Sequence, residues 1–375
     1  MTTIIINATA ARFSGALTIL KDFMSYLYEI KKSDSVFHLF TCTESLFKNT
    51  ENIVVHELPP QNWRTRLAWD KNGLQKWCEN NRIIPNLVIS FQNTCPRFKG
   101  ALSQVKLLVY YHQPLPLVKY QWKWHKKEEC LLFLYAHFYR FFVNRWNKNA
   151  EYIVQLSSVK DLFCKRFPNI NAKRIHVIRP NLPEIDVESV QEIDITENKK
   201  LLLYPATPLR YKNHIVILKA LSKIREENPK LFETLKVVFT VSSESELALT
   251  VKKMNLDTVV SCIGSIPYEK LLSYYKSSCA LLFPSKIESF GMPLIEAAFF
   301  GINIVASDLP YAKEVLENYK NKFFCNPDNA DEWRKSIENV VFSKNELVPL
   351  EKQTKNTWKD VMEIASKIIV GATVE

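Results

Sequence analysis

The chain has 375 residues, of which 47% are hydrophobic and 24% are charged, and its formal net charge at pH 7 is +11. The composition excludes a disordered or fibrous protein. The chain is too long for one ordinary core, so we expect two globular domains. The excess of positive charge favours a polyanionic partner (nucleic acid, anionic lipid or a phosphorylated substrate) without choosing among them.

The sequence lacks the signals of several other protein classes. The apolar run 4–6 is too short for a signal peptide, and the most apolar long segment, 130–143, is shorter than the roughly 20 residues that span a bilayer. We therefore expect a cytoplasmic protein. The eight cysteines form no C-x-x-C pair, which favours buried free thiols over a zinc site or a disulfide framework. The seven glycines form no G-x-G, which excludes the dinucleotide fingerprint and the P-loop.

The first half of the chain alternates predicted strands with predicted helices. Residues 3–7 form a β-branched run, and 16–30 have apolar residues at helical spacing. Later strands are nearly continuous apolar runs, as parallel strands buried on both faces are. This alternation indicates a doubly wound parallel sheet. The further predicted strands are 36–40, 53–58, 86–91, 105–111, 152–155 and 174–178, and the further predicted helices are 63–80, 129–146 and 158–167.

Two features of this half stand next to strand ends. His112 follows the strand 105–111, at the carboxyl end where parallel sheets bind ligands, although a lone histidine is more often a satisfied structural group. The loop 8–15, with Gly15, joins the first strand to the first helix. It either presents backbone N–H groups at a helix start or is a plain turn.

Residues 118–148 are basic and aromatic. This composition suits a membrane interface, and it would also suit single-stranded nucleic acid. We interpret 129–146 as an ordinary core helix and leave two roles open for 118–127, a solvated approach or a surface that faces membrane or acceptor.

The second half repeats the strand and helix alternation after an acidic stretch. We predict an N-terminal domain 1–182, a linker 183–199, a second domain 200–350 and a C-terminal segment 351–375. The predicted strands are 200–206, 235–241, 258–263, 280–283 and 322–325, and the predicted helices are 215–227, 242–253, 268–277, 294–300, 330–342 and 358–369.

Two cations stand in the loop that follows the first strand of this half. Arg210 and Lys212 lie in the loop 207–214, at the carboxyl end of a strand. Fixed cations at such a place suit a diphosphate, whereas the structural alternative is a solvated surface loop.

The segment 284–297 carries the strongest chemical signal. It follows a short buried strand, and Gly291 and Pro293 indicate a loop that leads into a helix, whose N-terminus is a ready phosphate site. Glu288 and Glu296, with seven residues between them, could each accept two hydroxyls. Together these groups indicate a nucleotide-sugar site. The structural alternative is a solvated loop glutamate and a glutamate that compensates the helix dipole.

This segment and its continuation, 301–310 and 314–315, resemble the signature of retaining glycosyltransferases of family 4 (glycosyl transferases group 1). The resemblance is strong over about 200–340 and weaker before it. It implies the GT-B fold, in which two Rossmann-like parallel-sheet α/β domains face a cleft and a C-terminal helix crosses back to the N-terminal domain.

The resemblance also assigns site residues. It implies catalytic roles for Glu288, Lys212, Arg210 and His112, and donor binding by Glu296, Phe290, Gly291, Met292, Gly15, Gly264 and Ile266. Two departures are visible, because the family's first loop has adjacent glycines where this chain has only Gly15, and Arg210 is closer to Lys212 than usual. The absence of D-x-D fits an enzyme without metal or cofactor.

The function that the resemblance and the charge imply is retaining transfer of a sugar from a nucleotide-diphosphate sugar, UDP-linked by preference and GDP-linked second. The implied acceptor is a lipid-linked glycan or oligosaccharide of a bacterial O-antigen or capsule, with peripheral contact to the anionic inner membrane and no nucleic acid. Two alternatives stay open. One is a GT-B enzyme with a soluble acceptor, and the other is a non-catalytic basic protein that binds membrane or nucleic acid.

Overall fold

The computed structural model of the chain describes residues 2–12, 14–30, 34–123, 127–143, 145–147, 149–195, 199–343, 348–350 and 356–371. The chain divides into two compact units. The first contains Met1–Asn181 and Lys355–Glu375, and the second contains Leu182–Thr354.

The first unit is built on a seven-stranded sheet, whose order is β3-β2-β1-β4-β5-β6-β7 and whose neighbouring strands are all parallel. The strands are β1 Thr2–Asn7, β2 Ser35–Thr41, β3 Ile53–Glu57, β4 Leu87–Ser90, β5 Lys106–Tyr110, β6 Glu151–Val154 and β7 Ile175–Val177. Each lies within one residue of a predicted strand at both ends, because these runs are apolar on both faces and bounded by polar or turn residues.

The helices of this unit are α1 Ser14–Glu29, α2 Trp63–Ala68, α3 Leu74–Asn80, α4 Lys127–Phe138, α5 Arg140–Val143 and α6 Ser157–Arg166. The helix predicted over 63–80 is α2 and α3 joined by a π turn, Trp69–Gly73. Within that turn Asp70 is 1% exposed and accepts a hydrogen bond of 3.0 Å from the Asn7 amide. The apolar spacing could not reveal the turn, because polar contacts fix Asp70 in the interior.

The helix predicted over 129–146 is divided into α4 and α5. Its interpretation as an ordinary core helix is wrong for one side, since Leu131 and Phe138 are 67% and 55% exposed. Of the neighbouring predicted segment 118–127, residues 124–126 lie outside the described residues.

The second unit has a six-stranded sheet of order β10-β9-β8-β11-β12-β13, again parallel throughout. The strands are β8 Lys200–Tyr204, β9 Leu235–Phe239, β10 Val260–Cys262, β11 Ala280–Phe283, β12 Asn303–Ser307 and β13 Lys322–Cys325. The helices are α7 His214–Glu227, α8 Pro229–Thr234, α9 Glu246–Lys253, α10 Tyr268–Ser277, α11 Met292–Phe299, α12 Pro310–Val315 and α13 Ala330–Phe342. The sequence analysis did not identify β12, α8 or α12 as elements.

Most of the stretch predicted as a linker is built into the second unit. Ile185 is 2% exposed, and the Ile193 N–H donates to Ser277 Oγ at 2.8 Å. Lys276 Nζ donates to the carbonyls of Val187 and Val190 at 3.1 and 2.8 Å. These contacts hold the acidic stretch against α10 as far as the described residues reach, while 196–198 lie outside them.

The last helix, α14 Thr357–Val370, packs in the first unit. Trp358 is 2% exposed, and its ring centroid lies 4.8 Å from that of Phe23 and 5.5 Å from that of Tyr110. Its indole N–H donates to Asp22 Oδ2 at 2.7 Å. The helix predicted over 358–369 thus completes the hydrophobic core between α1 and the sheet.

The eight cysteines are free thiols, of which Cys78, Cys95 and Cys325 are buried. Among the residues that the structure describes, no helix combines the length and the apolar character needed to cross a bilayer.

Candidate active site

The sheet of the second unit reverses its winding between β8 and β11. These strands are parallel neighbours, so the loops that leave their carboxyl ends, 205–213 and 284–291, emerge at the same edge. Ligands of open α/β sheets bind at such a switch point. The two loops with the strongest sequence signals are therefore adjacent in space.

An ion pair joins these loops. Lys212 ends the 3₁₀ turn Arg210–Lys212, and its Nζ lies 2.5 Å from Glu288 Oε1. The two side chains are only 17% and 13% exposed. A backbone hydrogen bond of 2.8 Å from the Lys286 N–H to the Tyr211 carbonyl holds the loops in register. The arrangement presents one cation and one carboxylate side by side, partly shielded from water.

Arg210 is exposed on the same turn. The turn ends at Asn213, whose φ of 61° is left-handed and whose amide donates to the Pro327 carbonyl at 2.7 Å. The next residue, His214, is 3% exposed, and burial together with the charge of Lys212 lowers its pKa to about 3. The loop therefore carries its positive charge on the arginine and the lysine alone.

The second loop enters α11 at Gly291. Its φ of 94° and ψ of 58° are left-handed, and an added Cβ would lie 3.2 Å from Leu294 Cδ1. Pro293 is the second residue of the helix, which begins at Met292. Phe290 is 3% exposed, so it can contribute only its backbone to a ligand. The first N–H groups of α11 lack intrahelical partners, as at any helix N-terminus.

Glu296 lies inside α11 and is 7% exposed. Tyr275 donates to its Oε2 at 2.8 Å and Tyr268 donates to its Oε1 at 3.2 Å. Burial raises the pKa of Glu296, and these two hydrogen bonds oppose the rise. Tyr275 is fully buried, whereas Tyr268 is 42% exposed. Each carboxylate oxygen still has one lone pair, so Oε1, the oxygen on the side of Tyr268, could also accept a hydrogen bond from a ligand hydroxyl.

The loop between β10 and α10 leads directly to Tyr268. Gly264 has a left-handed φ of 77°, and its N–H donates to the Val241 carbonyl at 2.9 Å. Open space surrounds the position of its missing Cβ. Ile266 is half-buried. The predicted base-binding loop is thus continuous in the chain with the tyrosine that contacts Glu296.

The first unit holds a buried polar cluster at its own switch point, between β1 and β4. The Gln92 amide donates at 2.7 Å both to Asn7 Oδ1 and to Thr9 Oγ1. Thr94 Oγ1 donates to Asp70 Oδ2 at 2.5 Å, and burial raises the pKa of that carboxyl to about 6. We name Asn7, Thr9, Asp70, Gln92 and Thr94 the switch-point cluster.

His112 follows β5 beside this cluster. Its backbone N–H donates to Asn93 Oδ1 at 2.7 Å, and among the described residues its buried Nδ1 has no hydrogen-bond partner. Burial lowers its pKa to about 4, so the ring is neutral at pH 7 and can bond hydroxyls but cannot pair with phosphate as a cation. Gly15 is exposed in the first turn of α1, with open space around its missing Cβ.

Sequence reasoning missed several of these groups. The sequence analysis singled out none of Tyr268, Tyr275 and Asp70, because each lies inside a predicted helix with no local signal of a polar contact. Asn7 and Gln92 could have been found, because each stands at the carboxyl end of a predicted central strand.

Comparison with known proteins matches part of the chain to one family model. Residues 187–357 match the family model described as glycosyl transferases group 1. The O-antigen chain mannosyltransferase RfbU of Salmonella typhimurium is 26% identical over 213 residues, which are 56% of each chain. The serotype-specific mannosyltransferase WbdA of Escherichia coli is 32% identical over 28% of this chain and 13% of its own. The chain thus spans about half the length of the first of these relatives.

Solved structures resemble the whole chain. WaaG, a glycosyltransferase involved in lipopolysaccharide biosynthesis, has a TM-score of 0.68 at 12% identity, covering 99% of this chain and 100% of its own. HepE from Anabaena in complex with UDP-glucose has a TM-score of 0.61 at 14% identity, covering 91% and 90%. With the two parallel sheets, these likenesses confirm the predicted GT-B fold. The cleft between the domains stays a prediction.

Proposed function

We propose that this chain is a GT-B glycosyltransferase that moves a sugar from a nucleotide-diphosphate sugar to a growing bacterial surface glycan. The observation that carries the proposal is the Lys212–Glu288 pair, 2.5 Å apart at the switch point of the second unit and next to the start of α11. The matched family model covers this region, and two relatives are named as mannosyltransferases, one of them for the O-antigen chain.

At the donor site, Lys212 and Glu288 would bind different parts of the nucleotide sugar. Without donor, Lys212 and Glu288 satisfy each other in a partly buried position. A bound diphosphate competes for the lysine, and the sugar hydroxyls compete for the glutamate. Arg210, exposed on the same turn, adds a second cation for the phosphates. The start of α11, at Gly291 and Met292, adds backbone N–H groups and a partial positive charge.

The nucleoside would bind towards α10. Gly264 and Ile266 would border the base, and Glu296 would accept the ribose hydroxyls beside Tyr268. The glutamate has a lone pair left on each oxygen after its two tyrosine hydrogen bonds. UDP is the first candidate and GDP the second.

The proposed reaction is retaining and uses no metal. The acceptor hydroxyl oxygen forms a bond to the anomeric carbon on the face from which the diphosphate leaves. The bond between that carbon and the diphosphate oxygen breaks, and a donor phosphate oxygen takes the hydroxyl proton. Lys212, Arg210 and the α11 N–H groups stabilise the charge that builds on the leaving group, and one such group can be worth ~10²–10³ in rate.

The acceptor would bind at the first unit. The neutral His112 and the switch-point cluster offer hydrogen bonds suited to sugar hydroxyls. Gln92 Oε1 and His112 Nδ1 are buried there, and neither has a hydrogen-bond partner in the part of the chain that the structure describes. Gly15, at the start of α1, would let a sugar approach the backbone. A lipid-linked glycan is the acceptor we favour, and a soluble acceptor is the alternative.

A thermal-shift screen against UDP, GDP, ADP, CMP and dTDP tests the donor site. We expect one nucleoside diphosphate at 100 times its Kd to add about 2.7 kcal/mol of stability to the wild type. Lys212→Met with Glu288→Gln, which removes both members of the pair, should lose that shift. Lys367→Met is the matched control, because Lys367 forms an exposed ion pair with Glu363 in α14 of the first unit. The donor-site proposal fails if no nucleotide stabilises the wild type, or if the double variant keeps the shift.

A transfer assay tests the reaction. With the nucleotide sugar that the screen identifies, NMR of the product should show the anomeric configuration of the donor. The opposite configuration would exclude the retaining mechanism. Nucleotide binding without transfer to any glycan acceptor would favour the non-catalytic alternative.

A further inference from the structure

The helices α4 and α5 present an apolar side to water. Leu131, Leu134, Phe138 and Phe141 are 67%, 42%, 55% and 50% exposed. Their spacing of three, four and three residues places them along one side of the helical path. We name these four residues the apolar stripe.

The opposite side of the same helices is also apolar, and it is buried. Ala136, Tyr139 and Val143 are 6%, 6% and 0% exposed. A helix that is apolar all round normally lies wholly inside a protein or in contact with lipid. Here only one side is covered by the first unit, so the apolar stripe remains without a covering element among the described residues.

Among the side chains that the structure describes, the exposed charged residues that flank α4 and α5 in sequence have one sign. Lys119 and Lys123 are exposed just before α4, and Arg145 is exposed just after α5. The acidic side chain that the structure describes within 118–147, Glu129, is buried and accepts a hydrogen bond of 2.6 Å from the Lys123 N–H. The guanidinium of Arg140 lies 4.7 Å from the Phe141 ring centroid. The exposed charge that the structure describes at the two ends of these helices is therefore cationic.

We propose that the apolar stripe and its flanking cations dock the first unit onto an anionic lipid bilayer. Leucine and phenylalanine side chains would enter the boundary between headgroups and acyl chains, and the cations would pair with lipid phosphates. A second copy of this chain would also be cationic in this region, so charge complementarity favours an anionic surface over self-association. The inference deepens the proposed function and rests on it for one point only, that the acceptor is held by the same bilayer.

Vesicle co-sedimentation of the full chain tests the docking. The wild type should bind vesicles of phosphatidylglycerol and phosphatidylcholine more tightly than vesicles of phosphatidylcholine alone. The triple variant Leu131→Ser, Phe138→Ser, Phe141→Ser should bind the anionic vesicles at least tenfold more weakly. The matched control is Ile84→Ser, Leu249→Ser, Phe342→Ser, because these residues are 68%, 52% and 66% exposed at other sites. It should bind like the wild type.

A charge variant separates the two contributions. Lys119→Gln, Lys123→Gln, Arg145→Gln should weaken binding to the anionic vesicles by roughly fivefold per cation and lose the preference over phosphatidylcholine. Raising the salt concentration should weaken the wild type in the same way.

Three results would overturn the docking proposal. One is equal vesicle binding by the wild type and the stripe variant, and another is no vesicle binding at all. The third is a wild-type dimer in light scattering that the stripe variant loses, which would assign the stripe to self-association. The nucleotide thermal shift, measured without lipid on the same variants, reports the donor site separately, so failure of either proposal is distinguishable.

Discussion

At the scale of single residues, the two candidate regions differ in how their carboxylates are held. Glu288 is neutralised by a cation, Glu296 is held by two phenols, and Asp70 is held by hydroxyl and amide donors in a fully buried position. Burial alone makes the charged form of a carboxylate costly, so each of these carboxylates needs a cation or hydrogen-bond donors in contact with it. This makes the effect of removing each donor predictable.

Removing the buried phenol of Tyr275 should destabilise the second unit. Tyr275→Phe leaves Glu296 Oε2 without its 2.8 Å donor in a position closed to water, at a cost of about 1–3 kcal/mol. Tyr268→Phe is the control, because water can replace a phenol that is 42% exposed, and it should cost less than about 1 kcal/mol. Urea unfolding measures both. Equal costs would mean that Tyr275 is not the principal support of the carboxylate.

The carboxyl of Asp70 should impose a pH dependence on stability. Its pKa is about 6 in the folded chain against an ordinary value of 3.8, so the folded state binds the proton more tightly. Stability should therefore fall as pH rises from about 4 to about 6, by an amount on the order of 3 kcal/mol. Asp70→Asn should abolish this component.

Urea unfolding of the wild type and Asp70→Asn at pH 4, 5, 6 and 7 makes the comparison. Relative to Asp70→Asn, the wild type should have a higher free energy of unfolding at pH 4 than at pH 7. A difference that is constant with pH would show that Asp70 is charged throughout.

At the scale of elements, the entry into α11 depends on one backbone conformation. Gly291→Ala forces a Cβ into a left-handed position with φ 94° and to 3.2 Å from Leu294 Cδ1. We expect a loss of about 1–2 kcal/mol in the free energy of unfolding. Gly15→Ala is the matched control, because its Cβ meets open space in the first turn of a helix, and it should be neutral or stabilising by up to about 1 kcal/mol. Similar losses at both positions would remove the conformational argument for Gly291.

At the scale of the whole molecule, each unit has its own sheet and its own switch point, and the chain returns to the first unit through α14. The return depends on Trp358, which packs on Phe23 and Tyr110 and donates to Asp22. Helix α14 is therefore part of the core that β1 and α1 form.

Trp358→Ala should lower the stability of the first unit by about 3–5 kcal/mol, through the cavity and the loss of the indole donor. Trp63→Ala is the control, since that side chain is 60% exposed in the same unit. Limited proteolysis followed by mass spectrometry should show earlier cuts in residues 1–181 of the Trp358 variant, with the second unit cut at the wild-type rate. Uniform acceleration across both units would contradict the assignment of α14 to the first unit.

The sequence by itself determined the two-sheet architecture and singled out the two loops that meet at the switch point of the second unit. Apolar runs marked twelve of the thirteen strands, and Gly291, Glu288 and Lys212 stood at strand ends where chemistry is expected. These are local signals, because strand burial and helix starts depend on residues that are close in the chain.

Only the tertiary structure decided which side chains meet. Lys212 and Glu288 are 76 residues apart, and Asn7 and Gln92 are 85 apart, so nothing in either local pattern pairs them. The same holds for the phenols on Glu296, for the burial of Asp70 and for the exposed side of α4 and α5. Burial of a polar group and exposure of an apolar one are properties of what packs against it, and that is set by the order of the strands in the sheet.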